Sequence, residues 1–148
     1  MLTIGQSLEC WRPPLSEAMA GRDTAPLIAG ARQQVRSGAV ALDLNFGATR
    51  RAGLADHLGW AAEVVRAALP EVVLFLDCGD LEALARAVEA TAGPVVANAV
   101  PLHDNLTPDP WRLIEAAARA GAGVVVSPRA ADERDDDGAI LDAARAAQ

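Results

Sequence analysis

Four side chains carry the first chemical signal in this sequence: Asp43, Asn45, Asp77 and Asn98. Each ends an apolar run or sits within its last residues. The first run is Ala39-Val40-Ala41-Leu42-Asp43-Leu44-Asn45-Phe46-Gly47. The second, Val72-Val73-Leu74-Phe75-Leu76, ends in Asp77, and the third, Val95-Val96-Ala97, ends in Asn98. Side chains alternate along a strand, so Leu42 and Leu44 share one face while Asp43 and Asn45 share the other. A buried carboxylate or amide without a partner costs several kcal/mol, roughly, by transfer from water. These groups therefore need either one another or a ligand. A carboxylate accepts hydrogen bonds and an Asn amide both donates and accepts.

Strands and helices alternate around these residues. Leu2-Thr3-Ile4 reads as a first strand leading into Gly5-Gln6. Trp11 to Pro14 reads as loop, and Leu15 to Met19 as a brief helical turn. Asp23-Thr24 caps a helix that Gly38 ends. Leu54, Leu58, Ala61, Val65 and Leu69 recur at helical spacing before Pro70. Asp80 caps a helix carrying Leu81, Leu84 and Val88. Gly93-Pro94 breaks that helix, and Pro101 to Pro108 reads as a loop. Asp109-Pro110 starts a helix whose inward residues are expected to be Trp111, Ile114 and Ala118. Gly121 ends it, Val124 to Ser127 is a fifth strand, and Ile140 to Ala147 reads as a last helix. Such alternation implies a parallel sheet with right-handed crossovers in one domain, residues 1–148.

Composition narrows the function. The net charge is -7 and all 13 basic residues are Arg, which argues against nucleic acid as the main partner. Without Lys there is neither Schiff-base chemistry nor a phosphate-gripping P-loop. Two cysteines, Cys10 and Cys78, make no disulfide framework and read as small packed thiols. No signal peptide and no membrane span is legible, so a cytoplasmic protein is expected.

An open dinucleotide-binding sheet would carry G-x-G-x-x-G after its first strand. Gly5-Gln6-Ser7-Leu8-Glu9-Cys10 does not fit it. Polar groups at the C-terminal ends of several strands fit a TIM-barrel-type (β/α) fold. A complete barrel needs about 250 residues. The expectation is thus a partial barrel of roughly five βα units, with unpaired edges at its first and last strands and with Val73, Phe75 and Val96 facing a cavity.

The set Ile4-Gly5, Leu42-Asp43-Leu44-Asn45-Phe46-Gly47, Leu76-Asp77-Cys78 and Ala97-Asn98-Ala99-Val100 resembles the pterin-binding (β/α)8 barrels. Within them it is most similar to the methyltetrahydrofolate:corrinoid methyltransferases, which have L-D-x-N-x-G at strand two, L-D-S at strand three and I-N-S-V at strand four. Asp136-Asp137-Gly138 comes close to their Asp-Asp-x-Gly. Ala48-Thr49-Arg50-Arg51-Ala52-Gly53 echoes a loop of the sister family, the dihydropteroate synthases, whose strand-one segment is absent here. Gln6 stands where the methyltransferases have Glu, Cys78 where Ser is usual, and Ala99 where Ser follows Asn. Their sixth-strand Asp and seventh-strand Asn have no counterpart.

The resemblance implies pterin binding by Asp77 and Asn98, with Asn45 and Asp43 as further binding residues, and singles out no catalytic residue. It implies a methyltransferase that takes methyltetrahydrofolate as substrate and passes the methyl group to a cobalamin-type corrinoid on a partner protein. A homodimer or a complementary barrel chain is expected as a further partner. Two alternatives stay open: a non-catalytic pterin-binding or split-barrel subunit, and a dihydropteroate synthase-like enzyme. Arg50 and Arg51 read as loop charges, and His57 as a residue on the solvent face of its helix. His103-Asp104 lacks a third metal ligand at useful spacing. Asp135-Asp136-Asp137 reads as a solvated helix start, not a calcium loop.

Overall fold

The computed structural model describes residues 2–47, 54–102 and 110–128. The expected features at 48–53, 103–109 and 129–148 lie outside them, among them Arg50, Arg51, His103, Asp104, the Asp135–Asp137 run and the last helix.

Five strands and five helices alternate. They are β1 (Ile4–Glu9), α1 (Leu15–Gly21), α2 (Thr24–Arg36), β2 (Ala41–Asn45), α3 (Leu54–Ala68), β3 (Val73–Asp77), α4 (Leu81–Ala90), β4 (Val95–Leu102), α5 (Trp111–Ala120) and β5 (Gly123–Pro128). Every strand pair is parallel, and the strands lie in chain order, β1 through β5. Right-handed crossovers that always step in the same direction put their helices on one face. Consistent with this, each helix packs against the next, from α1 to α5.

The helix-covered face is the core. Leu42, Leu44, Leu74, Leu76 and Ala97 are fully buried there against Leu58, Ala61, Val65, Leu84 and Val88. Fully burying such aliphatic side chains is worth about 1.5–3 kcal/mol each. On the opposite face Val73, Phe75 and Val96 are only half-buried, as expected for residues lining an open side of the sheet.

The caps expected at Asp23 and Asp80 are present, whereas α5 has Pro110 at its N-cap position and not in its first turn, and Asp109 lies outside the described residues. The Asp23 carboxylate accepts from Ala25 N at 3.0 Å, and Asp80 Oδ1 accepts from Glu82 N and Ala83 N at 3.1 and 3.0 Å. Gly121 closes α5 at φ +65°. Arg66, near the end of α3, ties down the N-terminal ends of two strands. Its Nη1 donates to Pro70 O and Val72 O at 2.8 and 2.6 Å, Nη2 to Pro94 O at 2.7 Å, and Nε to Ala92 O at 2.9 Å. Partial burial lowers its pKa, against the pull of Glu71.

Four expectations need correction. Gly5 and Gln6 do not follow the first strand; they lie inside β1, which ends at Glu9. A side chain at Gly5 would displace the Gln34 amide, whose Oε1 accepts from Ser7 N at 3.0 Å, because β1 runs close to α2 there. β4 continues through Pro101 and Leu102 after a register shift between Ala97 and Val100, so Asn98 sits within the strand and not at its end. In α5 the fully buried residues are Leu113, Ala116 and Ala117, and Ile114 packs partly buried against the core as expected, but Trp111 is 61% exposed and Ala118 is exposed. His57 is half-buried, with Nδ1 enclosed and unpartnered among the described residues, so it is not on the open solvent face.

Candidate functional site

Register brings the expected residues together. Asn45 on β2 lies beside Asp77 on β3, and Asp77 beside Asn98 on β4. Neighbouring residues in parallel strands share a face, so these three form one polar row on the half-open side. One step toward the N-terminal ends lies a second row, Asp43, Phe75 and Val96. Asp43 is the row's buried carboxylate, 3% exposed.

Two carboxylate–amide contacts hold the cluster. Asn45 Nδ2 donates to Asp77 Oδ2 at 2.8 Å, and Asn45 Oδ1 accepts from Gly47 N at 2.8 Å. Asn45 thus has both ends engaged and aims Asp77. Asn98 Nδ2 reaches Asp43 Oδ1 at 3.4 Å, passing over β3 from β4 to β2. Strands lie about 4.8 Å apart, so side chains that meet across an intervening strand fit a concave face. Gly47 makes the turn after β2 at φ +68° and packs against the Trp11 ring, which would lie 3.2 Å from any added Cβ. The Arg12 guanidinium stacks over the same ring at 4.0 Å.

The electrostatics favour protonation. Burial raises the Asp43 carboxyl, and hydrogen bonds from Asn98 and then Asn45 only partly oppose it. Burial, helped by the charge of Asp43, pushes Asp77 up to about 6. Two carboxyls in one apolar cleft resist both being ionised. The cluster therefore gains or loses a proton just below neutrality, and it presents acceptors that a ligand carrying N–H groups can satisfy. Among the described residues, no donor reaches Asp77 Oδ1.

Glu9 was missed from the sequence. It closes β1 and lies beside Asn45, extending the polar row to a fourth strand. Its Oε2 is 3.5 Å from Arg12 Nη1. Nothing in Gly5-Gln6-Ser7 alternates apolar with polar, so the sequence pattern ended the strand five residues too early.

Cys10 and Cys78 are buried. Burial first, then the charge of Asp43, pushes Cys10 up to about 12, and burial raises Cys78. Neither is a nucleophile at neutral pH. Among the described residues no group of three His, Cys, Asp or Glu side chains converges on a metal position. None of their helices is long and apolar enough to cross a membrane. A surface groove of about 320 Å³ between α4 and α5 lies on the helix side, away from the polar row. Its charges largely pair internally, Glu82 with Arg86 at 2.9 Å and Glu89 with Arg119 at 2.8 Å.

No family model matches this sequence, and neither does any curated protein.

Proposed function

We propose that this chain is a pterin-binding protein of TIM-barrel type that takes methyltetrahydrofolate at the polar row and serves a methyl transfer to a corrinoid. The observation that carries this reading is the row itself. Asn45, Asp77 and Asn98 stand in register on three consecutive parallel strands, above the buried carboxyl of Asp43. A pterin edge alternates amide, amino and ring-nitrogen groups. Among the described residues nothing donates to Asp77 Oδ1, so it can accept from the amino group and ring N–H, and the Asn98 amide can both donate and accept.

The nucleophile of such a transfer belongs to the corrinoid, carried by a partner protein. The chain's own residues bind and orient the folate. Asn45 fixes the Asp77 carboxyl, and burial, helped by the charge of Asp43, keeps that carboxyl easy to protonate. A carboxyl that gains its proton at about pH 6 can exchange it with the ring just below neutrality, as the departing amine requires. Expected partners are the folate, the corrinoid protein and a further chain against the open side of the sheet.

Calorimetry with methyltetrahydrofolate tests the reading. Asp77→Ala removes a charge-assisted hydrogen bond and is expected to cost about 1.5–3 kcal/mol of affinity, with Asn98→Ala losing about 1 kcal/mol. Unchanged affinity in both variants would overturn the assignment. Methylcobalamin formation from added cob(I)alamin and methyltetrahydrofolate distinguishes a transferase from a binding-only protein.

A further inference from the structure

We propose that a second copy of this chain closes the sheet, β5 of each copy pairing in parallel with β1 of the other about a two-fold axis that runs along the strands. This rests on the barrel-type curvature proposed above, and not on the identity of the ligand.

Three observations converge. The first is the topology. Because the five strands lie in chain order and all run one way, the two free edges of the described sheet are β1 and β5. A two-fold axis parallel to the strands keeps every strand direction. It brings the β5 edge of one copy to the β1 edge of the other, twice, and leaves no edge open. Both edge strands are six residues long, Ile4–Glu9 and Gly123–Pro128, so their ladders match in length.

The second is where apolar surface remains exposed. Among the described residues the exposed large apolar side chains are Leu2 (84%), Ile4 (40%), Trp11, Val40, Trp111 and Val126 (43%). Leu2, Ile4 and Trp11 belong to β1 and its flanks, and Val40 lies beside them, its N–H bonding Thr3 O at 3.0 Å. Val126 is in β5, and Trp111 opens the helix that precedes it. Among the residues whose burial is described, none lies within β2, β3 or α4. Exposed apolar side chains confined to the two ends of a sheet are what two mating edges require. The deterrents on these edges are few: a register irregularity between Gly5 and Leu8 and the terminal Glu9 on β1, and the terminal Pro128 on β5. β1 holds no Pro or Lys, and Gly123 to Ser127 is uncharged.

The third is area. Five strands about 4.8 Å apart and about 16 Å long give an inner face of roughly 400 Å² per copy. Two such faces supply much of the ~1,200 Å² that a stable interface buries. The two edge junctions, each with flanking helices from both copies, provide the rest. Closure covers the half-buried Val73, Phe75 and Val96. It also brings the polar rows of both copies to one mouth, where each site gains a wall from the partner.

Light scattering on the purified chain at tens of micromolar, without folate, is expected to give twice the 15.3 kDa chain mass. Two single variants, Gln6→Cys on β1 and Val126→Cys on β5, then locate the contact. Mixed, they are expected to cross-link through a short bis-maleimide; separately, neither does, because like edges lie across the barrel. Wild type controls for the two buried cysteines. A monomer overturns the proposal, and so does cross-linking of Gln6→Cys with itself, which would mean a different interface. The readouts separate the two proposals: a monomer that binds methyltetrahydrofolate rejects closure alone, and a dimer that binds none rejects only the ligand.

Discussion

Asp77→Asn should make the protein more stable at neutral pH while weakening folate binding. The new amide keeps an acceptor for Asn45 Nδ2, now met at 2.8 Å, so the local geometry survives. What disappears is a charge that the fold disfavours. The carboxyl rises from 3.8 to about 6 through burial and the nearby Asp43. A shift of about 2 pH units corresponds to about 3 kcal/mol, and solvent at the open side of the sheet reduces this to about 1–3 kcal/mol. The sign follows from proton counting. Between about pH 4 and pH 6 the folded state holds a proton on Asp77 that the unfolded chain releases. Stability therefore falls as pH rises through that window and stays low above it. Urea unfolding followed by circular dichroism is expected to show the variant ahead at pH 7.5 and level with wild type at pH 4. Some slope remains in the variant, because Asp43 is raised in the same direction. A gain of equal size at both pH values, or a loss at pH 7.5, would refute the reasoning. So would unaltered folate affinity, since a charge that costs stability without serving a ligand has no reason to be there.

Other expectations follow from particular contacts. Arg66→Met strands four carbonyls at the start of β3 and β4 and should cost about 2–4 kcal/mol in chemical denaturation, since each bond to a charged donor contributes about 1.5–3 before water replaces it; Arg66→Lys should recover only a fraction. Gly47→Ala meets both a φ of +68° and the Trp11 ring, so a loss of about 1–2 kcal/mol and a shifted tryptophan emission are expected. Cys10 and Cys78 should resist a thiol reagent in native buffer at pH 8 and react at once in urea; fast native labelling would contradict their burial.

The alternation of strands and helices was legible because apolar periodicity and punctuation agree. Asp23 and Asp80 cap where expected, and Gly121 stops α5 where expected. The juxtaposition of Asn45, Asp77 and Asn98 was legible for the same reason: a parallel sheet puts equivalent positions of successive βα units side by side. What escaped notice depended on distance or shape. Gly5-Gln6-Ser7 lacks a strand pattern yet pairs with β2, so Glu9 went unrecognised as the fourth member of the row. Trp111 looked like core by hydropathy, but the buried stripe of α5 runs through Leu113, Ala116 and Ala117 with Ile114 beside it. The carbonyls that Arg66 gathers come from two separate turns, and no local pattern announces that convergence.

The chain-order arrangement of the strands has a consequence for how the molecule is made. All the substantial contacts between elements join units adjacent in the chain. A growing polypeptide can therefore lay down each βα unit on the one before it, with only short loops to close at every step. Asn45, Asp77 and Asn98 come together as soon as β4 docks on β3. The cleft's chemistry is thus assembled without waiting for α5 and β5 to dock.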